Sequence, residues 1–184
     1  NLLALNSIIE GFFCSKLMRS TGRFLNSRVL VGHLGSVYSL SAVNGQLLSA
    51  GGDGNIVRWD PNEEKPGIAV ANVESQIYCI CAVGPLIVAG SMNGAVFFVD
   101  HRTRTLRKKL LHHQKGVFSI LPISGKILTG GGDGMVTLWD SEQLLPKFSL
   151  QLSKSSVRCM AHIEGDYFVV GCSEGNIYSC LRSG

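Results

Sequence analysis

Leu47 to Asp60 reads LLSAGGDGNIVRWD, and Ile127 to Asp140 reads ILTGGGDGMVTLWD, the same pattern met a second time. Each stretch is a short apolar run, a glycine-rich break with Asp-Gly at its end, a second apolar run and a closing Trp-Asp. Two β-prone runs split by Asp-Gly are the signature of a hairpin, because glycine accepts the positive φ that a tight turn demands. Midway between the two stretches the same step recurs in weaker form. Gly54 to Asp60, Gly94 to Asp100 and Gly134 to Asp140 hold one register, evenly spaced along the chain.

A second series precedes the turns. Val37, Ile77, Val117 and Val157 open the apolar stretches VYSLSAV, IYCICAV, VFSILPI and VRCMAHI, with the same even spacing. The fourth unit gains one residue around Gly165 and Asp166, which moves its turn glycine one place late, to Gly175. Each unit holds three clear strands and a fourth, more polar one leading onward. In the first unit they are expected at Val37 to Val43, Gln46 to Ala50, Asn55 to Trp59 and Gly67 to Ala71. Four strands in a period of about 40 residues is the pattern of a propeller blade. The blades are expected over about 37–71, 77–111, 117–151 and 157–184, and 1–27 is expected to be an N-terminal tail outside them, with two readings of its opening on Asn: a fragment of a longer chain, or residues 1–17 that are not native and lie upstream of a start at Met18.

VGHLGSV with LLSAGGDGNIVRWD, and LHHQKGV with ILTGGGDGMVTLWD, closely resemble the WD40 repeat. The resemblance covers Arg28 to Cys180, and its finer likeness is to compact bacterial chains made almost wholly of such blades. It implies an all-β propeller of four four-stranded antiparallel blades, part of a larger ring of about seven. It also implies one hydrogen-bonded tetrad in each well-formed blade, here His33, Ser49, Asp53 and Trp59, and then His113, Thr129, Asp133 and Trp139. An aspartate near a sheet turn is costly to bury unless imidazole, hydroxyl or backbone donors satisfy it, so these residues are structural.

Units two and four depart from the tetrad at every place, with Val73, Ala89, Asn93 and Val99, and with Ser153, Val170, Glu174 and Cys180. Blades of two kinds therefore alternate, and a pair of adjacent units is what was duplicated. Replacing all members of a polar network by apolar groups can be nearly neutral, so the tetrad-free blades are expected to fold normally.

Composition narrows the function classes. The chain has 184 residues, 45% of them apolar, and a formal charge of +4, enough for a sizeable core and too weakly basic for a general nucleic-acid or lipid surface. Asn1 to Phe13 is apolar but interrupted by Asn6 and Glu10, lacks a basic lead and is too short to span a membrane. Cys14, Cys79, Cys81, Cys159, Cys172 and Cys180 show no zinc spacing and no disulfide density. They are expected to be reduced, mostly buried thiols, which favours the cytoplasm.

No catalytic, metal or cofactor site is expected. The GGGDG run at Gly130 to Gly134 is no phosphate cradle, because Asp133 repels phosphate and no GK[ST] follows. One such run per unit is too sparse for calcium-binding nonapeptide repeats. His33, His101, His112, His113 and His162 have no ligand partners at metal spacing, and no nucleophile is paired with a base.

Two surface features remain. His101 to Lys115 carries Arg102, Arg104, Arg107, Lys108, Lys109 and Lys115 on an outer strand, where basic residues guard an exposed sheet edge. Tyr38, Tyr78, Phe118 and Arg158 recur at one position of the first strand and are candidates for partner binding, set against a role in inter-blade packing. The expected function is a non-enzymatic scaffold for a protein or peptide. The alternatives are a small-ligand site or enzyme in the central pocket, and nucleic-acid binding through 101–115. Four blades make an incomplete ring, and unit four lacks an outer strand. A piece of a longer ring, or self-association of two chains, is expected over a closed four-bladed monomer. Arg28 to Val31 could supply the missing strand.

Overall fold

The computed structural model describes residues 29–62 and 65–181; the N-terminal tail and Cys14 lie outside these. Four antiparallel sheets follow one another along the chain, with no helix among the described residues. The first holds β1 (Val37–Val43), β2 (Gln46–Gly51), β3 (Asn55–Trp59) and β4 (Ile68–Asn72). The second holds β5 (Ile77–Val83), β6 (Leu86–Ser91), β7 (Ala95–Asp100) and β8 (Thr105–Leu111). The third holds β9 (Val117–Ile123), β10 (Lys126–Gly131), β11 (Met135–Asp140) and β12 (Leu145–Gln151). The fourth holds three strands among the described residues, β13 (Val157–Glu164), β14 (Tyr167–Cys172) and β15 (Ile177–Leu181). Strand order is sequential within each sheet, and the sheets are propeller blades.

Local chemistry fixes these boundaries. Gly54, Gly94, Gly134 and Gly175 all take positive φ, between 73° and 89°, and each N–H donates back to the carbonyl three residues earlier. At the far end of the third strand, Asp100 Oδ1 accepts the N–H groups of Arg102 and Thr103, and Asp140 Oδ1 those of Glu142 and Gln143. The closing Asp of each Trp-Asp or Val-Asp step thus caps the next hairpin.

The core lies between blades rather than within one. Blade one presents Leu48, Ala50, Ile56 and Val70 to Ile80, Ala89, Phe97 and Val99 of blade two. Blade two turns Cys79, Val88, Val96 and Phe98 toward Val117, Ile127 and Trp139 of blade three. Blade three meets blade four through Leu128, Val136, Val157 and Val170. At the inner edge β1 packs on β5, β5 on β9 and β9 on β13. Ser39 Oγ and Ser41 Oγ accept the N–H groups of Ile80 and Ala82 at 3.0 and 3.1 Å, stitching blade one to blade two.

The thiols follow position in this stack. Cys79 and Cys172 are buried, Cys81 and Cys180 half-buried, and Cys159 exposed. The expectation of mostly buried thiols therefore fails for Cys159, which no described residue buries. Burial pushes the Cys81 thiol up to about 11 and raises Cys79 further still, so neither is a nucleophile at neutral pH.

Candidate functional site

In all four blades the first strand slips register against the second near its start, and β13 slips a second time between His162 and Glu164. Val37 pairs with Gly51 and Ser39 with Ala50, leaving Tyr38 as the extra residue. The same bulge leaves out Tyr78, Phe118 and Arg158. A bulge turns its extra side chain away from the regular alternation, and here it turns all four toward the face that carries the glycine turns. Gly52 and Gly132, at those turns, lie under the Tyr38 and Phe118 rings, where a Cβ would come within 3.7 and 2.9 Å of the ring carbons.

The four side chains form one continuous strip. The Tyr38 and Tyr78 rings meet edge to face at 5.6 Å, and Tyr78 stacks on Phe118 at 5.3 Å. The Arg158 guanidinium lies 4.3 Å above the Phe118 ring, and its Nε donates to Ser173 Oγ at 2.8 Å. Each ring is thus held by its neighbour from the next blade, while Tyr38 keeps 46% of its surface in solvent and Arg158 is exposed. Inter-blade packing and an open outer face coexist in the same residues. Preformed aromatic and guanidinium surface loses little entropy on binding and is typical of interface hot spots.

The tetrad residues lie beneath this strip. In blade one Trp59 Nε1 donates to Ser49 Oγ at 2.7 Å, and Ser49 Oγ stands 2.6 Å from His33 Nε2. His33 Nδ1 lies 3.0 Å from both Asp53 carboxylate oxygens. The serine has one proton, so it donates to Nε2, and the imidazole proton sits on Nδ1 facing the aspartate. Asp53 also accepts the Leu34 N–H and the backbone and side-chain N–H groups of Asn55. Blade three repeats this with Trp139, Thr129, His113 and Asp133. It adds His112, whose Nε2 lies 2.9 Å from Thr137 Oγ1 and 3.3 Å from Ser149 Oγ and whose ring meets Trp139 at 4.9 Å. Gly32, Val57 and Ala69 stand at the matching places of blade one.

Burial alone would raise both aspartates, yet their donors hold Asp53 well below the usual carboxylate range and lower Asp133 as well. A carboxylate depressed in the folded state stabilises it above the unfolded value of about 4, and that contribution is lost as pH falls toward the folded value. Thermal melts should therefore drop steeply below about pH 4. Asp53→Asn with Asp133→Asn should lower the melting temperature at pH 7 and flatten the acid slope. An unchanged slope would show that other carboxylates carry it.

In blade two Val73, Ala89 and Val99 are buried together, and Asn93 Oδ1 accepts from Ser91 Oγ. In blade four Val170 and Ser153 are buried, and Glu174 accepts from Asn176 and Tyr178. The basic segment divides in two. His113 is buried within its tetrad and His101 is buried with both ring nitrogens lacking a hydrogen-bond partner. Arg102, Arg104, Arg107 and Lys109 are exposed. Arg107 pairs loosely with Asp100 at 3.9 Å, and Lys108 Nζ donates to the Gln143 carbonyl at 3.2 Å, tying β8 to blade three. His162 Nε2 lies 2.8 Å from the Gly165 carbonyl. Among the described residues no group of three or more His, Cys, Asp or Glu is placed to hold a metal ion.

A family model described as "WD domain, G-beta repeat" matches residues 25–60 and 104–140, the stretches that end on the Trp-Asp of the two tetrad-bearing blades. The chain is 26% identical over 165 residues to the 77 kDa echinoderm microtubule-associated protein of Lytechinus variegatus, covering 82% of this chain and 24% of that one. It is 30% identical over 139 residues to the THO complex subunit 6 homolog of Danio rerio, covering 66% and 42%. It thus spans less than half the length of either relative. Among solved structures it superimposes on the computationally designed Ika4 protein with a TM-score of 0.73 at 19% identity, covering 84% of this chain and 96% of that one. On the designed Ika8 protein the TM-score is 0.72 at 19% identity, covering 83% and 48%.

Proposed function

The chain belongs to the WD40-repeat family of β-propellers, and on that premise we propose that it is a non-catalytic scaffold that holds a protein or peptide against the Tyr38–Tyr78–Phe118–Arg158 strip. Proteins with WD40 repeats generally serve as platforms for other proteins and are generally not enzymes. The observation that carries the reading is the bulge repeated in every first strand, which places three aromatic rings and one guanidinium side by side on one open face. A peptide crossing the four inner strands would lay apolar or aromatic groups on the rings and a carboxylate or carbonyl on Arg158.

The opposing chemistry supports this choice. The Asp53 and Asp133 carboxylates, each facing an imidazole, are already engaged by donors of their own blades and are not free to act as acid or base. A pull-down from native lysate, with the retained proteins identified, tests the proposal. Wild type is expected to retain a partner that Tyr78→Ala with Arg158→Ala loses while it stays folded, with an unchanged circular dichroism spectrum and a cooperative melt lowered only by the lost ring contacts. Retention by the folded double variant would sink it.

Nucleic-acid binding through 101–115 is the competing surface. Lys108→Glu with Lys109→Glu should leave RNA retention on a filter unchanged across a salt series, because β8 is a guarded sheet edge rather than a phosphate track. A salt-sensitive loss would reverse that reading.

A further inference from the structure

The positive charge of the chain is gathered in one place. Between Asp100 and Leu111 stand five cations, Arg102, Arg104, Arg107, Lys108 and Lys109, against the single carboxylate of Asp100. Their balance equals the formal charge of +4 carried by the whole chain, so the other residues together are neutral. Of the five, only Arg107 meets a carboxylate among the described residues, at 3.9 Å. The stretch is β8 and the turn before it, the last strand in the sheet of an interior blade that has blades one and three packed on either side.

β8 differs from the other outer strands in what its edge offers. In an antiparallel ladder every second residue of an outer strand turns its N–H and C=O away from its neighbour. β12 carries Pro146, which has no N–H, and β4 is five residues long and uncharged, whereas β8 has seven residues and no proline. The β7–β8 ladder runs unbroken from the Ala95–Leu111 pair to the Phe98–Lys108 pair and then skips Arg107 as a bulge. Lys109 and Leu111 therefore lie opposite Phe97 and Ala95, on the side of blade one, and beyond the bulge Leu106 joins them opposite Val99. Lys108 and Leu110 lie on the side of blade three, where the Gln143 carbonyl holds Lys108. Leu106 and Leu111 are 54% and 74% exposed. The blade-one side thus presents Lys109 between two uncovered leucines, with Arg107 turned out of the alternation beside it.

We propose that the outer edge of β8 takes up an extended acidic segment of a partner protein as a fifth strand of blade two, its carboxylates on Lys109, Arg107 and the turn arginines and its apolar residues on Leu106 and Leu111. Main-chain hydrogen bonds to an open sheet edge supply affinity in such pairing, and the side chains supply the choice of segment. Opposite charges on adjacent strands favour the pair and like charges oppose it. The cations that keep β8 from pairing with a second β8 thus select the strand that it accepts. RNA fits less well, because the exposed side chains between the cations are leucines and threonines rather than rings on which bases stack. The Tyr38–Tyr78–Phe118–Arg158 strip lies on the inner strands, so the two sites are separate.

The probe is a fluorescein-labelled peptide of alternating glutamate and valine, titrated with the intact chain at low salt and followed by fluorescence anisotropy. Saturable binding that weakens as salt rises is expected, and none by the counterpart with lysine in place of glutamate. Arg107→Glu with Lys109→Glu should raise the dissociation constant about tenfold or more, with an unchanged circular dichroism spectrum. Strand pairing has its own readout on the unaltered chain. Successive residues of an extended peptide point their N–H groups to opposite edges, so N-methylation of all the valines blocks one edge and N-methylation of all the glutamates the other. One methylated peptide should lose binding and the other keep it. No saturable binding, equal binding by both methylated peptides, indifference to Arg107→Glu with Lys109→Glu, or displacement of the peptide by an RNA oligomer of equal charge and concentration would each overturn the proposal.

Discussion

Trp139→Ala is expected to remove about 3–5 kcal/mol of stability, a large share of the about 5–15 kcal/mol that holds a whole domain folded. Trp139 is fully buried, packs edge to face on Phe98 from the preceding blade and on His112 from its own, and donates to Thr129 Oγ1. Its removal opens a cavity between two blades and takes a hydrogen bond from a buried hydroxyl. Trp59→Ala removes the same hydrogen bond in blade one, but the indole already borders an open pocket, so less packing is lost. Urea melts should place Trp59→Ala clearly nearer wild type than Trp139→Ala. Equal losses would mean that the tetrad face of blade one is covered in the chain alone.

Gly134→Ala should be the second large effect, and Gly45→Ala is its internal control. Both glycines have positive φ, 80° and 76°, so both substitutions carry the left-handed penalty of about 1–2 kcal/mol. At Gly45 an added Cβ meets nothing within 4 Å. At Gly134 it would overlap the Ser153 carbonyl, beside the Leu152 and Ser153 N–H groups that the Gly134 carbonyl accepts. Overpacking of this kind adds about 1–3 kcal/mol. A thermal shift for Gly134→Ala no larger than that for Gly45→Ala would show that the turn can move.

These two results bear on how much the sequence discloses. Turn chemistry and strand period are local, so Asp-Gly spacing is enough to place four blades and two tetrads. The alternation is legible for the same reason, since a tetrad place holding Val73 or Val170 cannot be mistaken for one holding His33 or His113. What escapes depends on neighbours from other blades. Tyr38, Tyr78, Phe118 and Arg158 are visible as an evenly spaced series, but the bulge that turns them outward is a property of pairing. The Ser39 and Ser41 bonds across to blade two, the Thr137 partner of His112, the unpartnered imidazole of His101 and the exposure of Cys159 likewise follow from which face meets which. A search for polar residues at the start of inner strands would flag the serines, though not their partners.

The affinity of the retained partner, measured by titration calorimetry against single and double variants, tests the scaffold reading most directly. Tyr78→Ala with Arg158→Ala should weaken binding by about thirtyfold or more, as loss of a hot-spot pair does, with the variant still folded at the temperature of the titration. Lys108→Glu with Lys109→Glu should leave it unchanged. Full affinity in the first variant, or a loss that follows the second, would contradict binding through the strip.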